Sequence, residues 1–158
     1  MAKSTCPFCR SGINASAFAG SENFLAIYNK SPILPGHSLV IPRRHIPAVL
    51  ELTDQELTEF VRFSRQVTVD LLQVFGANAF NWSLQEQPAA GQTVNHLHLH
   101  IVPRLEKDLP EPGDWYPILL KTYQTEIIDS STRPRLTDEQ VQQEARRIRS
   151  EIEKNKRK

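Results

Sequence analysis

Three of the chain's five histidines occupy alternate positions in His96-Leu97-His98-Leu99-His100-Ile101-Val102, and this run constrains the fold more than any other. A period of two is the signature of a β-strand, where alternate side chains share a face. On such a strand the imidazoles stand in a row about 6.5–7 Å apart, while Leu97, Leu99 and Ile101 point into the core. A slip of one residue would put all three histidines inside, so the apolar row fixes the register. The row admits three chemical readings. One imidazole acts as a nucleophile with neighbours that orient it and donate a proton; the three bind a metal, since His-x-His is a ligand spacing; or they are solvated side chains on a half-exposed strand. A neutral imidazole is a competent nucleophile near pH 7.

The preceding residues favour the first reading. Gln85-Glu86-Gln87-Pro88-Ala89-Ala90-Gly91-Gln92-Thr93 is a short loop with amides, a hydroxyl and a glycine. Backbone N–H groups in such a turn can cradle phosphate oxygens without adding charge. An anion-binding loop beside a row of histidines suggests phosphoryl or nucleotidyl transfer.

The rest of the chain supplies the scaffold. Thr53-Asp54-Gln55-Glu56 reads as a capping box, and Leu57, Phe60, Val61, Ser64, Val67, Thr68, Leu71, Val74 and Phe75 follow at helical spacing, with Gly76 as the stop. Thr137-Asp138-Glu139-Gln140 opens a second helix, whose narrower stripe is Val141, Ala145, Ile148 and Ile152. Strands are expected at 23–28, 38–42, 79–85 and 96–102, with a weaker one at 15–19. Residues 109–117, rich in proline and aromatics, read as an ordered surface loop. The pattern is that of an α+β domain, with one long central helix and a C-terminal helix on one face of an antiparallel five-stranded sheet. The 158 residues suit a single domain, with a core from about residue 4 to 105 and a C-terminal loop and helix over 106–158.

Composition excludes several classes. A net charge of +1 gives no broad basic surface for duplex nucleic acid. The run Lys154-Asn155-Lys156-Arg157-Lys158 reads as a solvated helix end. No apolar run approaches the ~20 residues of a membrane span, and the first residues lack the apolar stretch of a leader. A cytoplasmic location is therefore expected, where a structural Cys6–Cys9 disulfide would be unusual. Cys6-Pro7-Phe8-Cys9 is then a zinc half-site, a redox dithiol or two unrelated thiols. Zinc needs two further ligands, and Arg43-Arg44-His45 supplies a histidine at the end of an expected strand.

The triad run resembles the His-φ-His-φ-His-φ-φ signature of the histidine-triad (HIT) superfamily. Asn29-Lys30-Ser31-Pro32-Ile33-Leu34-Pro35-Gly36-His37-Ser38-Leu39-Val40-Ile41-Pro42 looks like that family's earlier strand pair. The resemblance runs from about residue 23 to 104. Ser83-Leu84-Gln85-Glu86 through Ala90-Gly91-Gln92-Thr93-Val94 resembles the Fhit branch, whose members hydrolyse dinucleoside polyphosphates such as diadenosine tri- or tetraphosphate. The resemblance implies a symmetric homodimer with a continuous sheet. It implies His98 as nucleophile through a nucleotidyl-imidazole intermediate, His96 beside it, and His100 and Gln85 on phosphate oxygens. Gly91, Gln92, Thr93 and Val94 would line the phosphate cradle, Asn29 would hold the ribose, and His37 would support the triad. Magnesium would arrive with the substrate polyphosphate. Related bacterial members and uridylyltransferases bind zinc through a set that here becomes Cys6, Cys9, His45 and His96, a structural site that the Fhit branch normally lacks. The chain thus mixes features of two branches. Phosphoramidase or nucleotidyl-transferase activity on the same nucleophile is the nearest rival, and a nucleotide-binding sensor module is the rival from another class.

Overall fold

Two threonines decide where the helices of the protein begin. In a computed structural model describing residues 6–114 and 135–157, helix α1 spans Asp54–Phe75 and helix α2 Asp138–Asn155. Thr53 accepts from the Glu56 N–H while the Glu56 carboxylate accepts from the Thr53 N–H, so two donors that the first turn leaves unpaired are satisfied. Thr137 and Gln140 repeat the device at α2. Helix α1 stops at Gly76, which adopts the left-handed conformation. The buried stripe of α2 is Val141, Ala145, Ile148 and Ile152, as the spacing predicts. On α1 the buried face is narrower than expected: Leu57 and Val61 are 41% and 50% exposed. Val61 lies one residue, about 100°, round from Phe60.

The five strands are β1 (Ala17–Gly20), β2 (Phe24–Tyr28), β3 (Ser38–Pro42), β4 (Ala79–Leu84) and β5 (Leu99–Arg104). They form one antiparallel sheet in the order β1-β2-β3-β5-β4. Four follow the expected segments closely. The last begins three residues later than expected, at Leu99, because its lead-in is bonded elsewhere. The Leu97 N–H donates to the Ile46 carbonyl at 2.6 Å, and the His96 carbonyl accepts from a histidine ring.

A second correction concerns the face opposite the helices. One side of the sheet packs Phe24, Ala26, Val40, Leu99 and Ile101 against Phe60, Val67 and Leu71 of α1 and the stripe of α2. The other side is not open. Leu25, Ile27, Leu39 and Ile41 form a second cluster, covered by Phe8 and Ile13 of the N-terminal segment. The histidine row is therefore buried too, with His96, His98 and His100 only 0%, 5% and 9% exposed. Register is set by the difference between two buried environments rather than between core and water. Every residue of β2, β3 and β5 is buried, the mark of strands covered on both faces.

Of the expected loop at 109–117, residues 112–114 form a single helical turn; 115–117 lie outside the described residues, as do residues 4 and 5 and Lys158. Among the described residues no helix is long and apolar enough to cross a membrane.

The turn before β3 depends on Gly36, at φ +87°, where an added Cβ would sit 2.9 Å from Phe75 Cδ2 and Pro103 Cγ. Gly36→Ala combines left-handed strain with a clash against a helix end and a strand. It should destabilise the protein by about 1–3 kcal/mol. A thermal melt reads this directly, and an unchanged melting temperature would refute the packing described for this turn.

Candidate active site and metal cluster

The site begins with a hydrogen bond inside the triad. His98 Nδ1 donates to the His96 carbonyl at 2.7 Å. This fixes the neutral tautomer, so the ring's lone pair is on Nε2. Burial holds the His98 pKa below its ordinary value, against the opposing pull of that carbonyl. Near pH 7 the ring is therefore neutral, with its free lone pair confined to Nε2.

His100 is set by a relay from β3. The Ile33 N–H donates to His37 Nδ1 at 3.1 Å, which leaves the His37 proton on Nε2. That nitrogen lies 2.9 Å from His100 Nδ1 and donates to it, so His100 carries its own proton on Nε2. The Asn29 amide nitrogen stands 3.1 Å from His37 Nε2, and its Oδ1 accepts the Ser31 N–H at 2.9 Å. The rings of His98 and His100 are 5.1 Å apart, closer than an ideal strand would give, because β5 starts only after His98.

His96 faces elsewhere. Its Nε2 donates to the Pro42 carbonyl at 3.0 Å, and its Nδ1 lies 3.4 Å from Cys6 Sγ and 3.5 Å from Cys9 Sγ. Cys9 Sγ is also 3.4 Å from His45 Nδ1. The four donor atoms all lie within 4.8 Å of one another, a Cys₂His₂ set that could hold a metal ion. Burial pushes His96 down to about 4, with the nearby His45 and His98 rings adding to the shift and the Pro42 bond opposing it. Phe8, between the cysteines, packs edge-on to His96 and tilted against His98, at 5.6 and 5.5 Å.

The loop before the triad is braced by its own side chains. Pairing of Ser83 with His100 and of Leu84 with Leu99 carries Gln85 to the level of His98. Gln85 is buried and donates to Ser83 Oγ. Gln92 does not project outward. Its Oε1 accepts the Gln87 N–H at 2.9 Å and its Nε2 donates to the Pro47 carbonyl at 2.8 Å. The Gly91 and Gln92 N–H groups donate within the loop, to Pro88 and Gln87.

Asn29, Thr93, Val94, His98 and His100 come together on the wall of one cavity. His37, Gln85, Gly91, Gln92 and His96 are not among the residues that line it. The same cavity is lined by Phe8, Ile13, Ile27, Leu39 and Val141 and by Arg10, Lys30 and Arg135, none of which sequence reasoning assigned to the site. A signal existed for the strand residues. Phe24-Leu25-Ala26-Ile27-Tyr28 and Leu39-Val40-Ile41 are continuous apolar runs, which mark strands buried on both faces. Arg10 and Lys30 both pair with Asp138, at 3.2 and 2.7 Å, joining the N-terminal segment and the end of β2 to the start of α2.

Comparison with known proteins places these features in context. Residues 10–107 match the family described as HIT domain. An asymmetrical bis(5'-nucleosyl)-tetraphosphatase of Schizosaccharomyces pombe is 40% identical over 104 residues, covering 66% of this chain and 57% of that protein. The chain thus spans little more than half the length of that relative. A bis(5'-adenosyl)-triphosphatase of Dictyostelium discoideum is 31% identical over 141 residues, covering 89% of this chain and 88% of that one. A solved histidine triad nucleotide-binding protein from Sulfolobus tokodaii superposes with a TM-score of 0.71 at 29% identity, over 96% of this chain and 95% of that one.

The depressed histidines link folding to pH. Unfolded, His96 takes up a proton near pH 6.5; folded, it does so only near 4, and His98 shifts in the same direction. Their contribution to stability is full above about pH 6.5 and is lost as pH falls toward 4. In metal-free protein the urea midpoint should therefore drop between pH 7.5 and 5. Glu56 and Asp138, both held at about 2, lose their contribution only below their unfolded values near 4, outside that interval. A midpoint equal or higher at pH 5 would contradict the assignment.

Proposed function

The chain belongs to the HIT domain family, and we propose that it hydrolyses dinucleoside polyphosphates, such as diadenosine tri- or tetraphosphate, at the α-phosphate through His98. The observation that carries this reading is the bond from His98 Nδ1 to the His96 carbonyl, which leaves a neutral Nε2 lone pair on the cavity wall. The names of the fission-yeast and Dictyostelium relatives support the substrate class.

The reaction runs as two displacements. His98 Nε2 attacks the α-phosphorus, the bond to the bridging oxygen breaks, and a nucleoside polyphosphate leaves. The Nδ1 proton stays on the ring, and the His96 carbonyl stabilises the cationic imidazole. Water then attacks the same phosphorus, the P–N bond breaks, and a nucleoside monophosphate departs from a neutral His98. His100 Nε2–H donates to a phosphate oxygen, with Thr93 and Val94 beside it, and Gln85 serves the bridge. Fixed donors aimed at developing charge are the principal resource of such a site. Asn29 holds the ribose, and the base lies among Ile27, Leu39 and Phe8. A cavity of about 220 Å³ is smaller than the roughly 300–1,000 Å³ that encloses a drug-sized ligand. One nucleoside half is held there, and the other extends outside.

The Cys₂His₂ set fits zinc. Tetrahedral zinc at about 2.3 Å from sulfur and about 2.0–2.1 Å from nitrogen puts the two donor types about 3.5 Å apart, against 3.4, 3.4 and 3.5 Å here. His96 already presents Nδ1 to the sulfurs, its Nε2–H held by Pro42. Four protein donors leave no open position, so the ion's role is structural: it would tie the N-terminal segment to the sheet. We further propose a homodimer through β4. This edge strand exposes Phe80 (47%), Trp82 (37%) and Leu84 (36%). At the opposite edge, Arg149 covers β1 by donating to the Ala17 carbonyl. Pairing across a two-fold axis would remove the open edge. Light scattering at micromolar concentration should give twice the chain mass, and a monomer mass would exclude it.

Two experiments test the chemistry. His98→Ala should abolish turnover of dinucleotides while binding persists, and a rapidly quenched wild-type reaction should show one nucleotidyl adduct on His98. An adduct elsewhere, or a panel in which only adenylylated amines turn over, would overturn the assignment. Cys6→Ser/Cys9→Ser should release one zinc per chain and lower the melting temperature. Activity should fall only about 10- to 100-fold, whereas complete loss restored by zinc in wild-type apoprotein would mean a catalytic ion. Wild type purified without zinc would end the metal proposal.

A further inference from the structure

We infer that Glu86 is a positioning residue, holding Gln85 at the bridge of the substrate by anchoring the phosphate loop to the 46–49 segment; the inference rests on the nucleotidyl-transfer reading above. Glu86 follows Gln85 directly, and its Oε1 accepts the Val49 N–H at 2.5 Å. A carboxylate accepting an amide proton makes a charge-assisted bond, stronger than one between neutral partners. Neither Glu86 nor Gln85 is among the residues that line the cavity; the place of Gln85 at the bridge belongs to the functional reading, and Glu86 acts through it.

Three features show why the anchor matters. First, the 46–49 segment is a common support. The Ile46 carbonyl accepts from Leu97, between His96 and His98, at 2.6 Å; the Pro47 carbonyl accepts from Gln92 at 2.8 Å; and Val49 holds Glu86. Both ends of the loop and the backbone beneath the nucleophile are thereby referred to one piece of chain. Second, the loop is strained. Gln87 has φ 68° and ψ 157°, a region that glycine tolerates and other residues enter at a cost of about 1–3 kcal/mol. It stays there because its N–H donates to Gln92 Oε1 and its carbonyl accepts from Ala90 and Gln92. Third, these bonds run from the strained residue to Ala90 and Gln92 of the loop itself. Before Gln87, the bond that ties the loop to the 46–49 segment is that of Glu86. Without it the Gln85–Gln87 backbone can rotate to relieve Gln87, and Gln85 moves with it.

The test is steady-state kinetics on a dinucleoside polyphosphate that the wild type hydrolyses, with Glu86→Ala, Glu86→Gln, Glu86→Asp, Gln85→Ala and the Gln85→Ala/Glu86→Ala double variant. Misplacement of a transition-state contact should lower kcat in Glu86→Ala by about 10- to 100-fold, with KM within about threefold. Glu86→Gln keeps an acceptor at the same reach and should recover to within about threefold of wild type. Glu86→Asp keeps the charge but falls short, and should lose about tenfold. Because Glu86 acts through Gln85, the double variant should be no slower than Gln85→Ala, within about twofold. If Glu86→Ala does not fold, the Asp and Gln variants decide the matter by the same ordering. Glu86→Ala or Glu86→Asp at wild-type kcat, a Gln variant as slow as the Ala variant, or losses that multiply in the double variant would overturn the inference alone. A wild type that turns over no nucleotide overturns the functional reading, and this one with it.

Discussion

Strand β5 sends Leu99 and Ile101 into the helix-side core while His98 and His100 press toward the N-terminal segment, and both faces are largely buried. That double burial governs the site. It penalises the charged form of His98, so the ring stays neutral near pH 7. It also obliges every buried nitrogen to find a partner. His98 turns to the His96 carbonyl, His96 to Pro42, and His100 to His37. Each bond fixes a tautomer, so orientation and protonation state are settled before a substrate arrives.

The same requirement explains the stretch between Pro42 and Val49. Its carbonyls at Pro42, Ile46 and Pro47 receive the His96 ring, the Leu97 amide and the Gln92 side chain, and His45 from within it joins the cysteine cluster. A segment without regular structure thus becomes the joint at which cluster, triad and loop meet. The strain at Gln87 is tolerated because the turn around it is tied on several sides.

Helix α2 has two roles. Its apolar stripe completes the core on one face of the sheet, and Val141 reaches the cavity that holds His98. Asp138, at its first residue, draws in Arg10 and Lys30, so the N-terminal segment and α2 meet beside the cavity. Residues 135–155 lie beyond the part of the chain that the family model matches, yet they supply part of the cavity wall.

Much of this was written in local sequence. Both capping boxes and the α2 stripe depend on residues within a few turns of one another, and they lie where the spacing put them. The alternation of His96 to Val102 named the triad and gave the side of the sheet for Leu99 and Ile101. Cys6-x-x-Cys9 flagged a ligand pair, and resemblance supplied its partners. Contacts across long separations were decided only by the tertiary structure. Cys6 reaches His96 across 90 positions and Gln92 reaches Pro47 across 45, and no periodicity encodes such pairs. The histidine face was expected to be open because period two separates two faces without saying what covers either. That depended on where Phe8 and Ile13 dock. Sequence determined which side chains share a strand or a helix face; packing decided which would be buried, and burial keeps the His98 ring neutral near pH 7.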